Sequence, residues 1–319
     1  MAFQPSPATY PALRKSPSDP RLLELQSSGA KADVLLCGLP FDGAVLGRKG
    51  AAGGPTAIRE AFRFLATHDP ERGIDLASLR WHDLGDVAGL DANDTLATHE
   101  TVRANLKGVF AKEKPLVVLG GDNSQSFPVV QALAQSRKLK KGKLGLVVLD
   151  AHYDVRTYEG QPSSGTPYGR ILTELAGQPV LAVNVAEVGI RPFANTKQLA
   201  ERAAILGLKP VTMAEVRAKG AAASAKAALA RARKGTDRLW LSVDLDVLDQ
   251  SIAPGVSAPG IGGMTLPEAA EFVHRIAADP RCAGMDLVEC APNLDATGNT
   301  ARTAAYLVAV FMGGVASRA

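Results

Sequence analysis

Three short stretches of this chain concentrate residues able to do chemistry: Gly120-Gly121-Asp122-Asn123-Ser124, Asp150-Ala151-His152-Tyr153-Asp154 and Ser242-Val243-Asp244-Leu245-Asp246. Each follows an apolar run and so falls where a strand should end. In extended backbone alternate side chains share a face, so Asp150, His152 and Asp154 are expected to point together, as are Asp244 and Asp246. Val243, Leu245 and Val247 should then take the buried face. Carboxylates gathered at one mouth repel one another unless a cation neutralises them. A hard, oxygen-rich set with one imidazole suits Mn²⁺ or a similar octahedral ion better than structural Zn²⁺. Two divalent ions would balance Asp150, Asp154, Asp244 and Asp246. A lone Asp-x-Asp would read as caps or turns; two such clusters with a histidine read as a metal centre. His68, His82, His99 and His274 lack this acidic company and are read as surface or packing residues.

The elements that must position these residues are legible in the hydropathy. Apolar runs recur at 32–39, 116–119, 144–149, 180–185, 238–247 and 284–288, separated by amphipathic stretches at 55–65, 94–111, 126–134, 196–206, 214–233, 267–278 and 300–311. Runs apolar throughout are what strands covered on both faces require, and the intervening helices supply the cover. The prediction is an α/β fold: one three-layer domain over 21–319, with a mostly parallel central sheet and helices on both faces. In such sheets ligands bind beyond the carboxyl ends of the strands, where the three motifs fall. Residues 1–20, rich in Pro and Ser, are expected to form an irregular arm.

Composition removes other classes. The 319 residues carry 36 basic and 32 acidic side chains, a net +4 spread along the chain. The densest basic stretches, 137–143 and 231–238, hold no interleaved aromatic residue, so no nucleic-acid partner is expected. The longest C-terminal apolar run, 304–312, is about half the roughly 20 residues a membrane span needs. The start lacks an apolar signal core, and Cys37, Cys282 and Cys290 suit buried thiols in a reducing compartment, so a cytoplasmic location is expected. The segment 47–55 has neither the ending of a P-loop nor dinucleotide-loop spacing, and reads as a flexible rim of the site.

The motifs, in this order, resemble those of the ureohydrolase superfamily of arginases, agmatinases and formiminoglutamases, over 41–289. The resemblance implies a two-manganese centre in which Asp150 and Asp244 bridge the ions. It assigns Asp154 to the first ion, and His152 and Asp246 to the second. Most members have His where this chain has Asn123, so the first site keeps only a neutral amide oxygen there and is expected to bind more weakly. The resemblance also implies a homo-oligomer, trimeric or hexameric.

Within the superfamily the loops are most similar to formiminoglutamases. The stretch 150–156, the loop Ser163-Ser164-Gly165-Thr166-Pro167-Tyr168 and the segment 253–259 carry the likeness, and Gly260 stands where arginases and agmatinases usually have Glu. The implied substrate, N-formimino-L-glutamate, has two carboxylates and one amidinium-like end. Arg156 and Arg191 are expected to hold carboxylates through paired hydrogen bonds, with Ser164 and Thr166 also contacting substrate. Glu289 matches the carboxylate that binds the nitrogen end, and Asp154 is expected to move the proton during hydrolysis to glutamate and formamide. Two alternatives stay open: a guanidino hydrolase releasing urea, which uses the same metals, and a non-catalytic relative, suggested by Asn123.

Overall fold

In a computed structural model, which describes residues 2–8, 18–136, 143–175 and 180–318, the apolar runs become strands whose alternate side chains feed two separate cores. The strands are β1 (Phe3–Gln4), β2 (Val34–Gly38), β3 (His68–Asp69), β4 (Ile74–Asp75), β5 (Trp81–Val87), β6 (Leu116–Leu119), β7 (Leu144–Leu149), β8 (Val180–Ile190), β9 (Val211–Thr212), β10 (Arg238–Asp244) and β11 (Cys282–Val288). Nine of them form one sheet in the order β1-β5-β2-β6-β11-β10-β7-β8-β9. Every neighbouring pair is parallel except β1 with β5. The short pair β3 and β4 stands apart.

The helices are α1 (Gly54–Ala61), α2 (Thr95–Phe110), α3 (Ser126–Ala134), α4 (Pro167–Glu174), α5 (Lys197–Ile205), α6 (Met213–Lys219), α7 (Ala221–Arg233), α8 (Leu266–Ala277) and α9 (Asn299–Ala316). Val147, Leu149, Leu241 and Val243 face a core covered by Ile58 of α1, Ala228 of α7, Phe272 of α8 and Leu307 of α9. Leu146, Val148 and Trp240 face the other, covered by Leu106 of α2, Phe127 of α3, Ile171 of α4 and Ala203 of α5. This is the predicted three-layer α/β architecture. The adjacent central strands β6, β11, β10 and β7 run parallel, so the loops carrying Asn123, Glu289, Asp246 and Asp150 emerge side by side at one edge.

Several boundaries differ from the sequence reading, each for a local reason. β5 reads WHDLGDV, too polar to be recognised as a strand, because Asp83 and Asp86 are matched by the fully buried Arg59. Its Nε lies 2.7 Å from Asp83 Oδ2 and its Nη1 2.6 Å from Asp86 Oδ1. The helix expected over 214–233 is broken at Gly220, whose φ of 80° no helix tolerates. The run 238–247 stops being a strand at Asp244 and closes into a 3₁₀ turn over Leu245–Val247. The N-terminal arm is not irregular throughout, since Phe3 and Gln4 pair antiparallel with Val87 and Asp86 at the sheet edge. The Ala2 N–H anchors it by donating to Asn105 Oδ1 at 2.5 Å. Residues 9–17 of the arm, and 137–142 of the basic stretch, lie outside the described residues.

Candidate metal centre

Four strand ends build the site. After β6, Gly121 passes so close to the 41–47 loop that a Cβ there would stand 1.7 Å from the Phe41 carbonyl oxygen. The buried Asp122 then ties both segments: Oδ1 accepts from Ser124 N at 3.0 Å and Oδ2 from Ala44 N at 2.9 Å. After β7, Asp150 is fully buried and its Oδ1 accepts from His152 N at 2.6 Å. Asp154 has φ 44°, and its carbonyl receives the N–H groups of Tyr168 and Gly169, both at 3.1 Å, from the first turn of α4. After β10, Asp244 Oδ1 accepts from Asp246 N at 2.9 Å. The two carboxylates thus converge through a 3₁₀ turn, and the expected strand alternation is corrected. Val243, Leu245 and Val247 are fully buried as expected.

After β11, Glu289 has φ 69° and donates its N–H to the Gly121 carbonyl at 2.8 Å. Its Oε1 accepts from Asn123 N at 2.8 Å, and the Ser257 side chain lies beside the same buried carboxylate. A left-handed backbone at a non-glycine residue costs on the order of 1 kcal/mol or more. Asp154 and Glu289, the two residues expected to be catalytic, both hold this conformation, fixed by backbone hydrogen bonds to α4 and to Gly121 respectively.

Ligating atoms of Asp150, His152 and Asp246 lie within 4.8 Å of one another, and so do those of Asp150, Asp154 and Asp244. Asp150 belongs to both groups. His152 Nδ1 is 2.9 Å from Asp246 Oδ2 and 3.6 Å from Asp150 Oδ1. Asn123 Nδ2 is 2.7 Å from Asp154 Oδ2 and 3.1 Å from Asp150 Oδ2.

So much buried negative charge holds protons when nothing else neutralises it. Burial, then the charge of Asp246, pushes Asp150 up to about 6. Burial and neighbouring carboxylates, Asp150 among them, raise Asp154 and Asp244 well above the usual range. Burial alone would lower His152, but Asp246 and Asp150 lift it to about 11. Burial and Asp122 bring Glu289 to about 8. A cluster that retains protons near neutrality is one that exchanges them for divalent cations. The donor set, carboxylate-rich with one imidazole and one amide, fits Mn²⁺.

A cavity of about 90 Å³ opens over the cluster. Asn123, His152, Asp154, Asp244, Asp246 and Glu289 line its floor, and Arg156 and Ser164 its wall. Arg156 is exposed, and Ser164 Oγ accepts from Leu46 N at 3.2 Å. The other two expected substrate contacts are not among its walls. Thr166 is 1% exposed because its hydroxyl closes the turn into α4, donating to the Ser163 carbonyl at 2.6 Å. Arg191 is buried beside Gly260, where a Cβ would stand 2.7 Å from the guanidinium carbon, and its Nη1 has no hydrogen-bond partner.

Sequence reasoning missed Leu46, Ser257 and Ala258, which line the cavity together with Gly47 of the expected rim. Arg48 holds these two loops together by donating to the Val256 carbonyl at 2.6 Å. The rim reading of 47–55 was the available signal. It also left Asp122 without a role, although the residue sits inside the first motif.

The arginase family sequence model matches residues 32–313. The formimidoylglutamase of Halalkalibacterium halodurans is 34% identical over 284 residues, 88% of this chain and 86% of the relative. The crystal structure of the Bacillus subtilis formimidoylglutamase superposes with a TM-score of 0.88 at 31% identity, covering 96% of this chain and 95% of that one. That of Trypanosoma cruzi formiminoglutamase with Mn²⁺ superposes at 0.85 with 29% identity, covering 94% and 100%. Taken with the carboxylate cluster at the sheet edge, these matches define the class: the chain belongs to the arginase family. Within it, the three relatives just described all carry the formimidoylglutamase or formiminoglutamase name.

Proposed function

We propose that the protein hydrolyses N-formimino-L-glutamate to L-glutamate and formamide with two Mn²⁺ ions per subunit. The observation that carries this reading is the pairing of two adjoining acidic clusters, sharing Asp150, with an exposed Arg156 on the wall of the same cavity. Relatives named for this activity span nearly the whole chain. A guanidino substrate shares the metal chemistry but brings fewer carboxylates, one in arginine or a simple guanidino acid and none in agmatine, against the two of N-formimino-L-glutamate.

Asp150 and Asp244 would bridge the ions, Asn123 and Asp154 complete the first site, and His152 and Asp246 the second. When bound, the ions supply Lewis acidity and lower the pKa of water, making a nucleophile at neutral pH. Asp154 accepts the proton of the attacking water and delivers it to the departing α-amine as the C–N bond breaks, while the water oxygen stays on the formyl carbon. Glu289 holds the cationic amidine through Oε2, the oxygen that the Asn123 N–H does not engage. Arg156 binds one substrate carboxylate through paired hydrogen bonds, and Arg191, buried beside Gly260 and off the cavity wall, is the cation assigned to the other. Ser164 contacts the substrate backbone from the wall. Thr166 acts behind it, fixing the turn that presents Ser164 and Gly165.

We further read the chain as a cytoplasmic homo-oligomer, trimeric or hexameric, with 21–319 as its catalytic domain. All three cysteines are buried and free, which suits a reducing compartment. Among the described residues no helix is long and apolar enough to cross a membrane. The test is release of glutamate and formamide from N-formimino-L-glutamate by Mn²⁺-loaded protein, with a chelator-treated control. Turnover abolished by the chelator is expected; urea release from a guanidino substrate instead would move the assignment.

A further inference from the structure

Every donor proposed for the metals is a carboxylate or an imidazole except Asn123, whose orientation decides whether it can serve. Its Nδ2 faces the cluster, donating to Asp154 Oδ2 at 2.7 Å and Asp150 Oδ2 at 3.1 Å. An amide nitrogen offers no lone pair to a cation. Oδ1, the atom that can ligate, points the other way and accepts from Ser126 Oγ at 2.9 Å. A half-turn about Cβ–Cγ exchanges the two atoms and brings Nδ2 against Ser126. That residue must then accept where it had donated, and its single hydroxyl proton must go elsewhere.

The structure provides the destination. Ser126 Oγ also lies 2.5 Å from Asp286 Oδ2. Asp286, on β11 and 1% exposed, has no cationic partner among the described residues. It accepts instead from Ser242 Oγ at 2.9 Å and from the Trp240 indole N–H. Ser242 is in turn 2.9 Å from the Tyr168 hydroxyl. With Ser126, Ser242 and Trp240 all placed to donate to it, Asp286 accepts the Ser126 hydroxyl hydrogen bond and leaves the serine lone pairs free for the Asn123 amide. Burying a carboxylate is costly unless donors satisfy it, as the two serine hydroxyls and the Trp240 indole do here.

We infer that Ser126 and Asp286 are a positioning pair that turns the Asn123 amide oxygen toward the cation and so makes a neutral side chain usable as a metal ligand. The inference rests on the two-Mn²⁺ reading. It differs from a general packing role in one respect: the pair matters because residue 123 is an amide with two unlike faces. A carboxylate at that position has the same atom on both branches and needs no such choice.

The test is Mn²⁺ titration by calorimetry of the chelator-stripped full chain, comparing wild type, Ser126→Ala and Ser126→Thr, each also in an Asn123→Asp background. Carboxylates and carbonyls that orient a ligand typically change metal affinity about 10–100-fold when removed. Ser126→Ala is expected to weaken one of the two sites roughly tenfold or more, Ser126→Thr to retain it, and Ser126→Ala in the Asn123→Asp background to change it less than about threefold. Circular dichroism of each variant confirms that folding is intact. Asp286→Asn should reproduce the Ser126→Ala loss; if it does not fold, the serine series decides alone. Unchanged affinity in Ser126→Ala, or an equal loss in both backgrounds, overturns the inference. A wild-type chain that binds no Mn²⁺ would strike the metal reading itself.

Discussion

The backbone N–H of Asn123 donates to Glu289 Oε1 at 2.8 Å, so the end of β6 and the end of β11 are locked together at the floor of the cavity. The bond uses main chain, so it survives any change of side chain at 123. Asn123→His should therefore restore an imidazole donor without moving Glu289. Mn²⁺ affinity at the first site is expected to rise severalfold, while KM for N-formimino-L-glutamate stays within about twofold. Equilibrium titration and steady-state kinetics on the same preparations separate the two effects. Metal affinity that does not respond would remove Asn123 from the ligand set.

Protons and metal compete for the same oxygens, which fixes the sign of the pH dependence. Asp150 rises from an ordinary 3.8 to about 6 in the folded chain, so between these values the folded state holds more protons than the unfolded. Its contribution to stability is complete below 3.8 and lost as pH climbs through 6. Asp154 and Asp244 are raised further in the same direction. Mn²⁺ replaces the protons and relieves the repulsion. The gain in melting temperature on adding Mn²⁺ should grow between pH 5 and 8, with protons released on binding. Melts with metal or chelator at each pH test this, and a gain constant across the range would refute it.

Arg191 has no carboxylate partner among the described residues, and a Cβ at Gly260 would stand 2.7 Å from its guanidinium carbon. Gly260→Glu would supply an internal counter-ion. If Arg191 holds a substrate carboxylate, that variant should raise KM for N-formimino-L-glutamate about tenfold with kcat nearly unchanged, and Arg156→Gln should do the same. Gly260→Ala controls for bulk alone. A KM that rises equally in the alanine and glutamate variants would assign Arg191 to loop packing.

The parts of the fold that followed from sequence are those where hydropathy and burial coincide, such as Leu144–Leu149, apolar on both faces of a covered strand. β5 was invisible because Asp83 and Asp86 break the pattern, and Arg59, which neutralises them, lies on a distant helix. The metal cluster was read through strand alternation, but Asp246 arrives by a 3₁₀ turn and Asp154 by a left-handed residue, neither of which has a local sequence signature. Residue types and their order located the cluster. The cavity wall is made by loops far apart in sequence, which explains why Thr166 was placed in it and Leu46 and Ser257 were not.

His99 lies outside the metal cluster yet supports it, and its ionisation can be read separately. The ring is pinned between Arg170 Nη1, 2.8 Å from Nδ1, and Ser124 Oγ, 3.3 Å from Nε2. Because Nδ1 accepts from a guanidinium, Nε2 carries the proton and donates to Ser124, which in turn donates to Asp122 at 2.5 Å. Burial first, then the Arg170 charge, lowers His99 from 6.5 to about 3. Between these values the unfolded chain binds the extra proton, so stability from this residue is complete above 6.5 and lost as pH falls toward 3. The ceiling is on the order of 5 kcal/mol. The raised carboxylates act in the opposite direction, so the effect belongs in a difference measurement. A glutamine amide can accept from Arg170 and donate to Ser124 without titrating. Urea denaturation of wild type and His99→Gln at pH 7, 6, 5 and 4 should show the wild type losing stability relative to the variant as the solution is acidified. A difference that stays flat would mean that His99 protonates freely in the folded state, and the network from α4 to Asp122 would have to run another way.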